Sequence, residues 1–163
     1  CIRDRSYFNL EFIDRQFPVG LKKDERQFFT GGLSAIDLWG AKDDVLSIIE
    51  LKYIPKSGSK NIKVGIISEI FLYSCVMRDI AKGMILKPST PVVKETESHF
   101  YKNAKKYRKV CAYMLANEYH PLVENKKVFS LLNSNTFSDD TPIFFQQSHY
   151  KYNEISKQLS IAE

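Results

Sequence analysis

Between Val45 and Tyr53 the chain is apolar at most positions. In an extended conformation side chains alternate faces, so Leu46, Ile48, Glu50 and Lys52 fall on one side and Val45, Ser47, Ile49, Leu51 and Tyr53 on the other. A segment apolar on both faces belongs in the middle of a sheet that other elements cover from each side. Just upstream, Leu33 to Trp39 reads as a strand and Gly40 to Asp44 as a turn, which makes a hairpin. Before it come a short strand at Gln27 to Thr30, the pair Gly31-Gly32, and a helix from about Arg5 to Phe17 ended by Pro18 and Gly20. After it Pro55 stops the strand, Lys56 to Asn61 is a loop, and from Ile62 to Lys82 the period becomes helical, with Gly83 placed to end it. A basic helix, a strand at Val110 to Ala116 and a C-terminal helix from about Tyr150 complete the expected elements, with Val128 to Leu132 and Ile143 to Phe145 left unassigned. Mixed strands and helices in this order predict an α/β or α+β layered domain, its helices covering a sheet.

Glu50 and Lys52 sit uneasily in that pattern. A buried carboxylate or ammonium is costly unless something compensates it. A two-residue loop at Asp43-Asp44 makes Lys42 face Val45 and sets Asp37 opposite Glu50; a four-residue loop leaves them diagonal neighbours on one face. Directly opposite side chains have Cβ atoms about 4.5–5.5 Å apart, so two carboxylates there repel, and a divalent cation relieves them. A third acid comes from the next helix, where Ile62, Ile66, Glu69, Tyr73, Val76 and Ile80 share one stripe facing the sheet. Glu69 could complete a metal site or accept from a water ligand, with Tyr73 one turn on orienting substrate; alternatively Glu69 pairs with Lys52 as an internal ion pair.

Composition adds limits. At 163 residues, 44% hydrophobic and 26% charged, the chain suits one domain with a real core, residues 1–163. It begins with Cys rather than Met, which is compatible with a piece of a longer protein carrying additional domains, and a homodimer is equally compatible. Cys1, Cys75 and Cys111 are too scattered for a disulfide framework or zinc site, which suggests a reducing, cytoplasmic setting. The longest apolar stretch, Val64 to Met77, is interrupted by Glu69 and too short for a membrane span. His99, His120 and His149 have no metal-ligand spacing and receive no role. The net charge of +5 permits a polyanionic partner. If Lys102 to Lys109 is helical, Lys102, Lys105, Lys106 and Lys109 share one face opposite Phe100, Ala104 and Tyr107; that face is either a phosphate-binding stripe or simply solvated.

Asp37 at the end of "GGLSAID", Glu50-Leu51-Lys52 thirteen residues later, and "EIFLY" from Glu69 to Tyr73 on the following helix resemble the PD-(D/E)XK nuclease superfamily. The last motif looks like the QxxxY of its RecB-like branch with Glu in place of Gln, and Ile36 stands where the family often has Pro. The resemblance covers about Glu11 to Gly83. It implies a restriction-endonuclease-like core, a central mixed sheet whose β-hairpin carries D…ExK, flanked by helices. It further implies a metal-dependent deoxyribonuclease in which Asp37 and Glu50 bind Mg²⁺, for which Mn²⁺ can substitute. Lys52 would position the attacking water, Glu69 would assist, and Glu11 on the first helix is a weaker candidate for that auxiliary role. The iron–sulfur cysteine cluster of some relatives is absent. The competing expectation is a nuclease-like domain that only binds nucleic acid or serves as a scaffold.

Overall fold

In the computed structural model, described for residues 8, 10–19, 35–53, 65–84, 95–134, 140–153 and 158–161, six strands form one mixed sheet ordered as in the chain. β1 (Phe12–Pro18), β2 (Ala35–Lys42) and β3 (Val45–Lys52) make an antiparallel meander. β4 (Lys109–Ala116) runs parallel to β3, β5 (Ile143–Asn153) parallel to β4, and β6 (Gln158–Ile161) returns antiparallel on β5. Parallel neighbours need a crossover. The first contains α1 (Gly65–Ala81) and α2 (Glu95–Asn103), the second the short α3 (Pro121–Glu124) and α4 (Lys126–Leu132). The molecule is thus α/β, a six-stranded mixed sheet flanked by helices.

β3 is central, and its two faces enter two cores. Leu46 and Ile48 pack with Ile66, Ile70, Met77 and Ile80 of α1, whereas Ile49 joins Phe8, Leu10, Leu115 and Tyr150. The hairpin closes through Asp43-Asp44, with Lys42 facing Val45 and the ladder running to Leu38 opposite Ile49. Gly40 to Lys42, expected in the turn, are therefore strand residues. Asp43 adopts φ 53, a left-handed conformation that short polar side chains tolerate. At Gly40 a Cβ would stand 2.3 Å from the Phe12 carbonyl oxygen, so only glycine lets β1 approach this closely.

Two expected helices are strands. Residues 12–17 belong to β1, whose Phe12 and Phe17 rings meet Trp39 edge-on at centroid distances of 5.3 and 5.1 Å while Arg15 and Gln16 are exposed. Pairing with β2 and this aromatic cluster override the local crowding of apolar residues that suggested a helix. The expected C-terminal helix is replaced by the end of β5 and by β6, with Tyr150 opposite Ile161. The expected strand at Gln27 to Thr30, Gly31-Gly32, the loop at Lys56 to Asn61 and the helix start at 62–64 lie outside the described residues. Among the described residues no helix is long and apolar enough to cross a membrane.

Candidate functional site

The carboxyl end of β3 gathers Asp37, Glu50, Lys52 and Glu69. The Lys52 ammonium lies 3.1 Å from Glu50 Oε1 and 2.5 Å from Glu69 Oε2. The Glu50 and Glu69 carboxyl groups thus share the Lys52 ammonium between them. α1 delivers Glu69 because its buried stripe, Ile66, Tyr73, Val76 and Ile80, turns that position toward the sheet. From the opposite face the Tyr150 hydroxyl donates to the Lys52 carbonyl at 3.3 Å and fixes the strand end.

Asp37 arrives by a different route. The ladder ends at Leu38 and Ile49, so Asp37 and Glu50 each stand one residue beyond the last pair of their strands. At that point the Leu51 N–H donates to Asp37 Oδ2 at 2.9 Å, so a side chain takes up an amide of the neighbouring strand. Ile36 and Leu38 belong to different cores, so strict alternation breaks at Asp37. In β1, Gln16 lies between the partners of Leu38 and Ile36 and has φ 55.

Electrostatics follow from this packing. Glu50 is 3% exposed. Burial, the Asp37 charge and the chance for the protonated form to donate to Glu69 push its carboxyl up to about 8, against a smaller downward pull from Lys52. At neutral pH the Glu50 carboxyl therefore holds a proton. For Lys52 burial acts to lower the pKa, but the bonds and charges of Glu69 and Glu50 outweigh it and hold the ammonium protonated. Glu50 Oε2 is buried without a hydrogen-bond partner. Glu69 Oε2 likewise has no aligned hydrogen bond, although it lies against the Lys52 ammonium.

That orphaned oxygen is the observation a cation would explain. Desolvated and unpaired, such an atom is unfavourable by about 1–3 kcal/mol or more. A hard divalent ion held by Asp37 and Glu50 would satisfy it, because carboxylate oxygens are the ligands Mg²⁺ prefers. Among the described residues no three His, Cys, Asp or Glu side chains stand together as a complete metal group. Two carboxylates are nonetheless within the usual protein share for Mg²⁺, with waters and substrate oxygens completing the octahedron.

Other expected residues fall elsewhere. Glu11 precedes β1 rather than riding on a helix; its N–H donates to Ala41 O, four residues along β2 from Asp37, so antiparallel pairing carries it away from the site. Tyr73 is 7% exposed within the larger core. The four lysines do not share a helical face: α2 ends at Asn103, whose side chain donates to His99 O, a 3₁₀ turn holds Lys105 and Lys106, and Lys109 begins β4. Lys109 Nζ lies over the Phe144 ring, 4.5 Å from its centroid. Phe100, Ala104 and Tyr107 are buried as the packing side. Burial pushes the Cys75 and Cys111 thiols up, away from thiolate chemistry. Sequence reasoning missed the Leu51 amide that holds Asp37, for which only strand register offers a signal.

No protein-family model, curated protein or solved structure matches this chain.

Proposed function

We propose that the protein is a divalent-cation-dependent phosphodiesterase acting on DNA, built on a restriction-endonuclease-like core. The buried, orphaned Glu50 Oε2 beside the Asp37 charge carries this reading. Three antiparallel strands, a helix bearing Glu69 and then a strand parallel to the third support it, because they set D…ExK on one hairpin beside that helix. Asp37 and Glu50 would hold Mg²⁺ or Mn²⁺, which when bound lowers the pKa of water and neutralises charge on a phosphoryl oxygen. The Leu51 amide keeps Asp37 aimed. Lys52, held protonated by Glu50 and Glu69, acts as an electrostatic and orienting group for the scissile phosphate and the attacking water rather than as a free base. Glu69 positions that ammonium. Exposed Lys102, Lys105 and Lys106 supply positive surface for the DNA backbone without forming a single stripe.

A second reading has its own observation. Lys52 already satisfies both Glu50 Oε1 and Glu69 by direct contact, as it would in a nuclease-like domain that only binds nucleic acid or acts as a scaffold. Incubating purified protein with plasmid and linear DNA separates the two. Cleavage that requires Mg²⁺ or Mn²⁺, stops with chelator and is abolished by Asp37→Ala or Glu50→Ala supports the phosphodiesterase. Salt-sensitive binding with no cleavage in either cation supports the binding domain.

A further inference from the structure

Two strands run out on a Lys-Tyr pair, Lys52-Tyr53 at the carboxyl end of β3 and Lys151-Tyr152 near that of β5. Register joins the two places, since Lys52 pairs with Ala116 and Ala116 with His149. Such partners in parallel strands share a face, so His149 lies on the α1 side with Lys52, which meets Glu69 of α1. Alternation along β5 then puts Lys151 on the α1 side and Tyr150 and Tyr152 on the other. Tyr150 bears out the parity, because it packs in the second core with Ile49 and Leu115. Two strands at about 4.8 Å and three residues at about 3.3 Å set the Tyr152 backbone about 14 Å from that of Lys52.

Both of these tyrosines are open to solvent. Tyr53 is 61% and Tyr152 43% exposed, whereas Tyr73, Tyr107, Tyr119 and Tyr150 are buried. Burial, and after it the neighbouring Tyr53 phenol, push the Tyr150 hydroxyl up, so the Tyr53 and Tyr150 side chains stand close together. Tyr150 is the fixed member, its hydroxyl donating to the Lys52 carbonyl at 3.3 Å and Ile161 of β6 lying opposite it. Tyr152 is held in the same ladder, opposite Leu159. A tyrosine has only two side-chain torsions, so a ring presented from such a support loses little freedom when something stacks on it. Lys151, also exposed, adds positive charge on the Lys52 side.

Cations on one face and open rings on the other, at one end of one sheet, match the two sides of an unpaired nucleic-acid strand. Its phosphates meet ammonium groups, and each base offers an aromatic face that stacks on a side-chain ring whatever the sequence. A duplex hides those faces along its length, because its bases are stacked on one another. Resting on the DNA-phosphodiesterase reading, we infer that Tyr53 and Tyr152 stack on unpaired bases of a DNA strand that crosses the carboxyl end of the sheet beside Lys52. The preferred substrate is therefore single-stranded DNA.

Fluorescence-anisotropy titrations in chelator, where no cleavage occurs, compare a labelled single-stranded oligothymidylate with a blunt hairpin duplex of equal nucleotide count. The unaltered protein should bind the single strand about 10-fold or more tightly than the duplex. Tyr53→Ala and Tyr152→Ala should each weaken single-strand binding about 5–30-fold, with duplex binding and melting temperature unchanged. Tyr53→Phe and Tyr152→Phe, which keep the ring and lose the hydroxyl, should bind as the unaltered protein does. Should Tyr152→Ala fail to fold, Tyr152→Thr removes the ring with a better strand former. Equal affinity for the two DNAs, single-strand binding untouched by removal of either ring, or a loss in the Phe variants as large as in the Ala variants overturns the inference. Cleavage in Mg²⁺ that still requires Asp37 then leaves the phosphodiesterase reading standing. Ring-dependent binding with no cleavage in Mg²⁺ or Mn²⁺ upholds the stacking site and overturns the phosphodiesterase reading, and absence of both binding and cleavage overturns both.

Discussion

Replacing Glu50 by Gln probes the charge cluster without changing its shape. The Glu50 carboxyl is raised from 4.5 to about 8, chiefly by burial, then by Asp37 and by the protonated form's chance to donate to Glu69. Below pH 4.5 the group is protonated in both folded and unfolded chains and contributes nothing to pH dependence. Between pH 4.5 and 8 the unfolded chain releases its proton while the folded one keeps it, so the folded state loses ground as pH rises; above 8 the difference is constant. A rise of about 3.5, at about 1.4 kcal/mol each, caps the loss at about 5 kcal/mol. Gln is neutral throughout. Glu50→Gln should therefore match the unaltered protein near pH 4.5 and exceed it increasingly up to pH 8–9. At about 2–4 °C per kcal/mol, the greatest gain in melting temperature is about 10–20 °C. Thermal melts from pH 4.5 to 9 in chelator test this. A difference that is flat with pH, or that favours the unaltered protein as pH rises, refutes the reasoning.

Adding Mg²⁺ at pH 8 should raise the melting temperature of the unaltered protein and leave Glu50→Gln and Asp37→Ala unmoved, since only a formed site gains from its ligand. Lys52→Met removes the cation that Glu50 and Glu69 share, and should destabilise by about 2–3 kcal/mol at pH 8 in urea unfolding, with a smaller loss at pH 5 where Glu50 is protonated. Gly40→Ala drives a methyl into the Phe12 carbonyl and should cost about 2 kcal/mol or more, seen as faster amide exchange in β1. Trp39→Ala empties a fully buried ring site lined by Phe12, Phe17 and Phe100, and should cost about 3–5 kcal/mol.

How much of this could be read in the residues depended on whether the cause was local. Val45 to Tyr53 is apolar on both faces whatever surrounds it, and the structure does set β3 between two cores. Counting outward from Asp43-Asp44 suffices to bring Asp37 to the Glu50 end of the hairpin, and helix phase suffices to bring Glu69 to Lys52. β1 was less readable, because Phe12 and Phe17 find their partners in Trp39 and Phe100, far along the chain. Glu11 was misplaced with it. The Lys102 to Lys109 run shows the same limit: charge spacing suits a helix, yet an Arg108 N–H bond to Asp44 O and pairing with β3 pull the chain into β4. Nothing local distinguishes Tyr150 to Asn153 as strand until β6 returns alongside it.

The most direct test of the metal site is anomalous diffraction from crystals soaked in Mn²⁺. A peak bridging Asp37 and Glu50 Oε2, with Lys52 still beside Glu69, is the predicted result. Saturating Mn²⁺ that leaves no density between those two carboxylates contradicts the account.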